Sequence, residues 1–130
     1  MCIRDRVSPA NKDRPENRRA FVGKCASLLR ENVCVCIVDV VTARRQNLYG
    51  ELLDFIGSTD PALAAGSPSL YAAGCRSLVH DRTRRLETWF HVMELGQALP
   101  TLPLWVSENL AVALDLEASY EEACRNLRIV

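Results

Sequence analysis

Histidine is nearly absent from this 130-residue chain: only His80 and His91 occur. Neither has a serine or cysteine placed to make a nucleophilic triad with it. Neither lies near Cys34 and Cys36 to complete a zinc site. Net charge is missing as well, with 16 basic residues against 16 acidic ones. That balance excludes recruitment of nucleic acid or a membrane surface by bulk charge. Long apolar runs are also lacking. The longest, Val33 to Val41, is interrupted by Asp39 and is too short to span a bilayer. No C-x-x-C pair occurs, and the residues present show no secretion signal.

What remains is a chain that is 48% hydrophobic, the composition of a globular domain and not of a disordered one. Its first six residues, Met1-Cys2-Ile3-Arg4-Asp5-Arg6, match an in-frame translation of the transposase mosaic end used in sequencing libraries, ATG-TGT-ATA-AGA-GAC-AG. Residues 1–6 are therefore expected to be adapter-derived, in a gene read from a metagenomic assembly. Residues 7–130 are expected to be the C-terminal portion of a single α/β domain. Five cysteines then count: Cys25, Cys34, Cys36, Cys75 and Cys124. An odd number without C-x-x-C spacing argues against a disulfide framework or a zinc ribbon. Cys34 and Cys36, two apart on a strand, point to one face and read as small buried apolar residues in a reducing cytoplasm.

The pattern along the chain alternates helix and strand. Val7 to Asp13 reads as a strand end and a polar turn, and Pro15 opens a helix. Phe21, Cys25, Leu28 and Leu29 form that helix's apolar stripe, and Glu31-Asn32 ends it. Val33 to Val41 is β-rich and apolar on both faces, the mark of a central strand covered on both sides. Asn47 caps a second helix with Leu48, Leu52, Phe55 and Ile56 as its buried stripe, and Gly57 stops it. Ser58 to Ser69 reads as a mobile loop. Leu70–Val79 and Leu86–Leu95 read as a hairpin around a turn at His80–Arg85. In the second strand Leu86, Phe90 and Val92 share one face, and Trp89, Met93 and Leu95 share the other. Leu99 to Leu104 reads as an extended connector and Ala111 to Leu116 as a short strand. Tyr120, Ala123, Cys124 and Leu127 make the stripe of a last helix.

Ser8-Pro9-x-Asn11-Lys12, a helix bearing Phe21 and Lys24, and Ile37-Val38-Asp39-Val40 together resemble a bacterial pattern. Leu99-Pro100-x-Leu102-Pro103-Leu104 and Leu114-Asp115-Leu116-x-x-x-Tyr120-Glu121 add to it. These are features of domain of unknown function 4058, an uncharacterised prokaryotic family, and they cover roughly the C-terminal half of a member. That family in turn resembles cyanobacterial restriction endonucleases with a PD-(D/E)XK core. The resemblance implies a restriction-endonuclease-like mixed sheet. It also implies a chemistry in which strand carboxylates hold Mg²⁺ and a lysine orients or deprotonates water. The acid nearest the family motif falls at Asp5, inside the adapter-matching stretch, so its acidity is read as coincidence. A second acid is expected further upstream.

Three residues carry the catalytic expectation if the chain is nuclease-like: Lys12, Lys24 and Asp39. Each also has a plainer reading. Lys12 is a solvated turn lysine, Lys24 a surface lysine beside an apolar stripe. Asp39 is a buried carboxylate that must find a cation, with Arg44 or Arg45 as the suggested source. Asn11 is expected to bond its own turn. Arg82, Arg84 and Arg85 form a basic turn that reads as a solvated hairpin tip. Pro100-x-x-Pro103 reads as a buried connector, and Trp89 and Trp105 as core or core-edge residues.

The expected fold is α/β: a partial restriction-endonuclease-like mixed sheet with Val33–Val41 central, flanking helices and an added β-hairpin. The favoured function is a cytoplasmic non-catalytic binding or interaction scaffold. The alternative is a fragment of a Mg-dependent phosphodiesterase. No cofactor is expected in the fragment, and Mg is reserved for a full-length parent. The metal ligands and the partner are left unknown, nucleic acid has no support from net charge, and no membrane partner is expected. The fragment alone is expected to be poorly stable, because its central strand would lack a neighbour.

Overall fold

The computed structural model describes residues 2–41, 46–63, 66, 68 and 70–127. Two helices lie between the first two strands. The order is β1 (Cys2–Arg6), α1 (Pro9–Asp13), α2 (Pro15–Arg30) and β2 (Cys34–Asp39). Then come α3 (Leu48–Ile56), a 3-10 turn at Pro61–Leu63, β3 (Tyr71–His80) and β4 (Thr83–Val92). A second hairpin, β5 (Thr101–Ser107) and β6 (Leu110–Asp115), leads into α4 (Leu116–Asn126).

Strands β1 to β4 form one sheet in sequence order, and β5 and β6 form a separate two-stranded sheet. β1 runs parallel to β2, while β2–β3 and β3–β4 are antiparallel, so the sheet is mixed. The chain is α/β, as expected, and the Val33–Val41 run is an interior strand. Contrary to the expectation of a missing neighbour, β2 is paired on both edges. The register sets Asp5 opposite Ile37 and Arg6 opposite Val38.

Alternation along β2 divides the core in two. Val35 and Ile37 point to the face covered by α2 and α3, where they meet Phe21, Cys25, Leu29, Leu48 and Leu52. Cys34 and Cys36 point together to the other face, against Ala72, Met93, Leu102 and Leu114. Period-two geometry alone places the two cysteines side by side, as their spacing predicted. The cover on this second face is the β5–β6 hairpin. Each large aliphatic side chain taken fully from water in these layers contributes about 2 kcal/mol.

Several local expectations need correction. Ser8 to Asp13 is not a turn but a short helix. Asn11 Oδ1 accepts from both the Ser8 backbone N–H (2.8 Å) and the Ser8 hydroxyl (2.9 Å), which closes its first turn. Asn11 does bond its own turn, as anticipated. Asn47 Oδ1 accepts from the Gly50 N–H at 3.1 Å, and Gly57 ends α3 in the left-handed region at φ 74°. The buried stripe of α3 is Leu48, Tyr49, Leu52 and Leu53, because the helix is seated one position round from the reading that put Phe55 and Ile56 inside. Those two are exposed. The Leu99–Leu104 connector is largely strand β5. On α4 only Leu116 is buried, while Tyr120 and Leu127 face outward. Within β4 the facing was read correctly for Leu86 and Phe90 on one side and Trp89 and Met93 on the other, but Val92 and Leu95 are exposed.

The β3–β4 connection is also tighter than the six-residue turn expected. His80 pairs with Thr83, so Asp81 and Arg82 alone make the turn, at φ 49° and 64°. Two residues at positive φ make the hairpin turn that favours Asn-Gly, because its twist matches that of the strands. Asp81 tolerates this conformation; Arg82 is strained by it. Replacing Asp81→Asn together with Arg82→Gly should therefore raise the unfolding free energy by about 1 kcal/mol, measured by urea titration. No gain would mean that the turn is not held in this geometry.

Candidate functional site

The C-terminal end of β2 gathers the polar residues that the sequence singled out. Asp39 ends the strand with its carboxylate buried at 1% exposure. The chain leaves β1 through Val7, whose N–H donates to the Val38 carbonyl at 2.9 Å, and turns at Ser8-Pro9 into α1. One helical turn later Lys12 points back at the sheet and is itself only 2% exposed. Its Nζ lies 2.8 Å from Asp39 Oδ2 and donates to the Val41 carbonyl at 3.3 Å. Asp39 Oδ1 accepts from the Val41 N–H at 3.0 Å. Both carboxylate oxygens thus have donors within the fold.

Tyr71, the cross-strand neighbour of Asp39, extends the cluster. Its hydroxyl accepts the Tyr49 backbone N–H at 3.2 Å. The Tyr49 hydroxyl in turn donates to Asp60. Phe90 stacks against both tyrosine rings, at 5.0 and 5.4 Å between centroids. On the other flank Arg18 reaches Glu51 at 3.0 Å and the Lys12 carbonyl at 3.3 Å, tying α2 to α3 and α1. Burial, with the Asp39 charge beside it, pushes the Tyr71 hydroxyl far above its usual range. Burial and the bond to Asp60 do the same to Tyr49.

The structure therefore brings two of the three candidate residues together. Lys12 is not a solvated turn lysine, and the cation for Asp39 comes from Lys12. Arg44 and Arg45, suggested for that role, lie outside the described residues. Lys24 is exposed on α2, by a shallow groove lined by Asn11, Asn17 and Phe21. Tyr49 and Tyr71 were missed by the sequence reading. The available signal was Tyr71 itself, standing at the start of a strand whose partner ends in a buried acid.

Among the described side chains, Asp39 offers Mg²⁺ little. Asp39 supplies one carboxylate, and its oxygens are already held by the Lys12 ammonium and the Val41 N–H. Among the described residues no group of three or more His, Cys, Asp or Glu side chains could hold a metal.

Elsewhere the remaining candidates serve packing. Trp89 and Trp105 sit 5.6 Å apart at the core edge, and the Arg76 guanidinium lies 3.5 Å from the Trp105 ring centroid. Arg76 is held there by Glu87 and by the Glu108 carbonyl, both at 2.9 Å. Of the basic turn, Arg82 and Arg85 are solvent-exposed, while Arg84 reaches back to Ser77, Asn32 and the Leu29 carbonyl. Burial pushes the Cys75 thiol up to about 12, which keeps it protonated and inert. No helix among the described residues is long and apolar enough to cross a membrane. Comparison with family models, with curated proteins and with solved structures returns no match.

Removing either partner of the buried pair leaves an uncompensated charge, which costs about 3–5 kcal/mol. Lys12→Met and Asp39→Asn should each lower stability on that order in urea, and the double variant should lose clearly less than the two losses added. Simple additivity would show that the two side chains are not coupled. The tyrosines set an alkaline limit. An unfolded tyrosine ionises near pH 10, whereas the buried ones keep their protons. The unfolded state then binds fewer protons, so stability falls as pH rises past about 10. Tyr71→Phe should flatten this fall between about pH 9 and 11, and an unchanged slope would remove Tyr71 from the account.

Proposed function

We propose that this chain is a non-catalytic binding scaffold built on a nuclease-like sheet. The observation that carries the reading is the closed Lys12–Asp39 pair. A catalytic lysine needs access to water or substrate, and a metal-binding carboxylate needs free lone pairs. Here both groups are sealed from solvent and neutralise each other at 2.8 Å. Their chemistry is turned inward, to hold α1 against the sheet. Apolar side chains meanwhile stand in the open on the last hairpin and helix. Leu110 and Val112 on β6, Tyr120 on α4 and Leu127 just after it are each more than half exposed. Surfaces of this kind support an interaction role. An odd number of cysteines without C-x-x-C spacing supports a reducing compartment, and we place the domain in the cytoplasm.

A second reading rests on one feature. A lysine beside a strand-borne acid also occurs in the PD-(D/E)XK nucleases that the sequence resembles. In that reading the chain is part of a Mg-dependent phosphodiesterase whose metal-binding acids lie outside these residues.

The two readings separate in a cleavage assay. The chain is incubated with supercoiled plasmid, single-stranded DNA and RNA in Mg²⁺ or Mn²⁺. The scaffold reading expects no cleavage above that of Lys24→Ala and Asp39→Asn variants prepared in the same way. Metal-dependent cutting by the wild-type chain, lost in Asp39→Asn while the variant keeps its circular dichroism spectrum, would overturn it.

A further inference from the structure

A second locus carries more than the sealed pair does. The C-terminal ends of α2 and α3 meet the β3–β4 hairpin around a cavity of about 440 Å³, within the usual size range of small-molecule sites. Its walls are Leu29, Leu86 and Phe55, and Phe55 is 60% exposed although it is a large aromatic. Two arginines, Arg30 and Arg84, line the same space, and no acidic residue does. Ser77, almost fully buried, also lines it.

No carboxylate among the described residues matches the charge at this place. Among those residues Arg84 bonds through Nη1, to three neutral acceptors: Ser77 Oγ at 2.8 Å, Asn32 Oδ1 at 3.0 Å and the Leu29 carbonyl at 3.3 Å. Its Nε and Nη2 groups, and the whole guanidinium of Arg30, make no bond to a carboxylate among the described residues. Two helix C-termini offer some compensation, roughly half a negative charge each. Two full positive charges against them leave a site with about one net positive charge. The Ser77 hydroxyl accepts from Arg84 and retains its own proton to donate.

We propose that this cavity binds a small monocarboxylate with an apolar body. The anion is held by Arg84 and Arg30, with Ser77 donating to it. The aliphatic or aryl part lies against Leu29, Leu86 and Phe55. A single negative charge matches the site's balance, and guanidinium pairs carboxylates through parallel N–H bonds. The site is separate from the Lys12–Asp39 pair, so this inference stands or falls independently of the scaffold reading.

The test is titration calorimetry of the full chain with octanoate, with 1-octanol and inorganic phosphate as controls. Octanoate should bind at least about tenfold more tightly than 1-octanol, and phosphate should neither bind detectably nor displace octanoate. Arg30→Gln, at an exposed position, should weaken octanoate by about tenfold with unchanged melting temperature. Phe55→Ser should weaken it as well. Equal affinity for octanoate and 1-octanol, or wild-type affinity in Arg30→Gln, would overturn the carboxylate assignment. Displacement of octanoate by phosphate would overturn the role of the apolar walls.

Discussion

A carboxylate at the end of a strand buried on both faces has to be neutralised where it stands, and this fold is arranged around that demand. Asp39 cannot reach water, and desolvating a lone carboxylate would cost far more than a small domain's stability. The neutralising cation comes from 27 residues earlier in the chain. Lys12 can arrive only if the segment after β1 turns back at once as α1, so the ion pair fixes the route of the crossover. The constraint is carried outward through the cross-strand neighbour Tyr71 to the backbone of α3, and through the Val41 N–H to the chain that leaves the sheet. One acid thus ties together two strands and the segments that enter and leave them.

The two faces of the sheet are packed by different means. On the helical side, tyrosine, phenylalanine and branched aliphatic residues fill a thick layer. On the hairpin side the sheet contributes Cys34, Cys36 and Ala72. Small side chains there let β5 lie close, and Trp89 and Trp105 close the margin with Arg76 over the Trp105 ring. The helical layer encloses its residues, whereas the hairpin layer leaves Leu110 and Val112 on its outer strand uncovered. The polar pair, the arginine-lined cavity and the exposed hairpin therefore occupy different parts of the molecule.

Much of the fold was legible because it follows local rules. The β2 run, the Asn47 cap, the Gly57 stop and the pairing of Cys34 with Cys36 on one face all come from period and cap chemistry. What could not be read depended on tertiary placement. The stripe of α3 turned by one position because Tyr49 was needed beside Tyr71 and Phe90, and propensity does not encode that neighbour. The Leu99–Leu104 segment looked like a connector because its prolines suppress a strand signal, yet Pro103 is tolerated in a two-stranded edge. At the site, the need of Asp39 for a cation was plain from the sequence. Its source was not, since Lys12 looks solvated until α1 is folded against the sheet. β1 went unread for a different reason: residues 1–6 match an adapter translation and were set aside, so no strand was sought there.

The mixture of tight and distant pairings in one sheet gives folding a direction. β3 and β4 are joined by two residues, so their ladder can zip from the turn with almost no loop to close. β1 and β2 are separated by both crossover helices, and their parallel ladder forms only after that whole segment is compact. Loop-closure entropy thus favours the antiparallel hairpin as the early template, with β2 added next to its free edge and β1 joining last. In the finished molecule that order runs in reverse, and β1, paired along one edge only, is the strand of its ladder expected to open before β2.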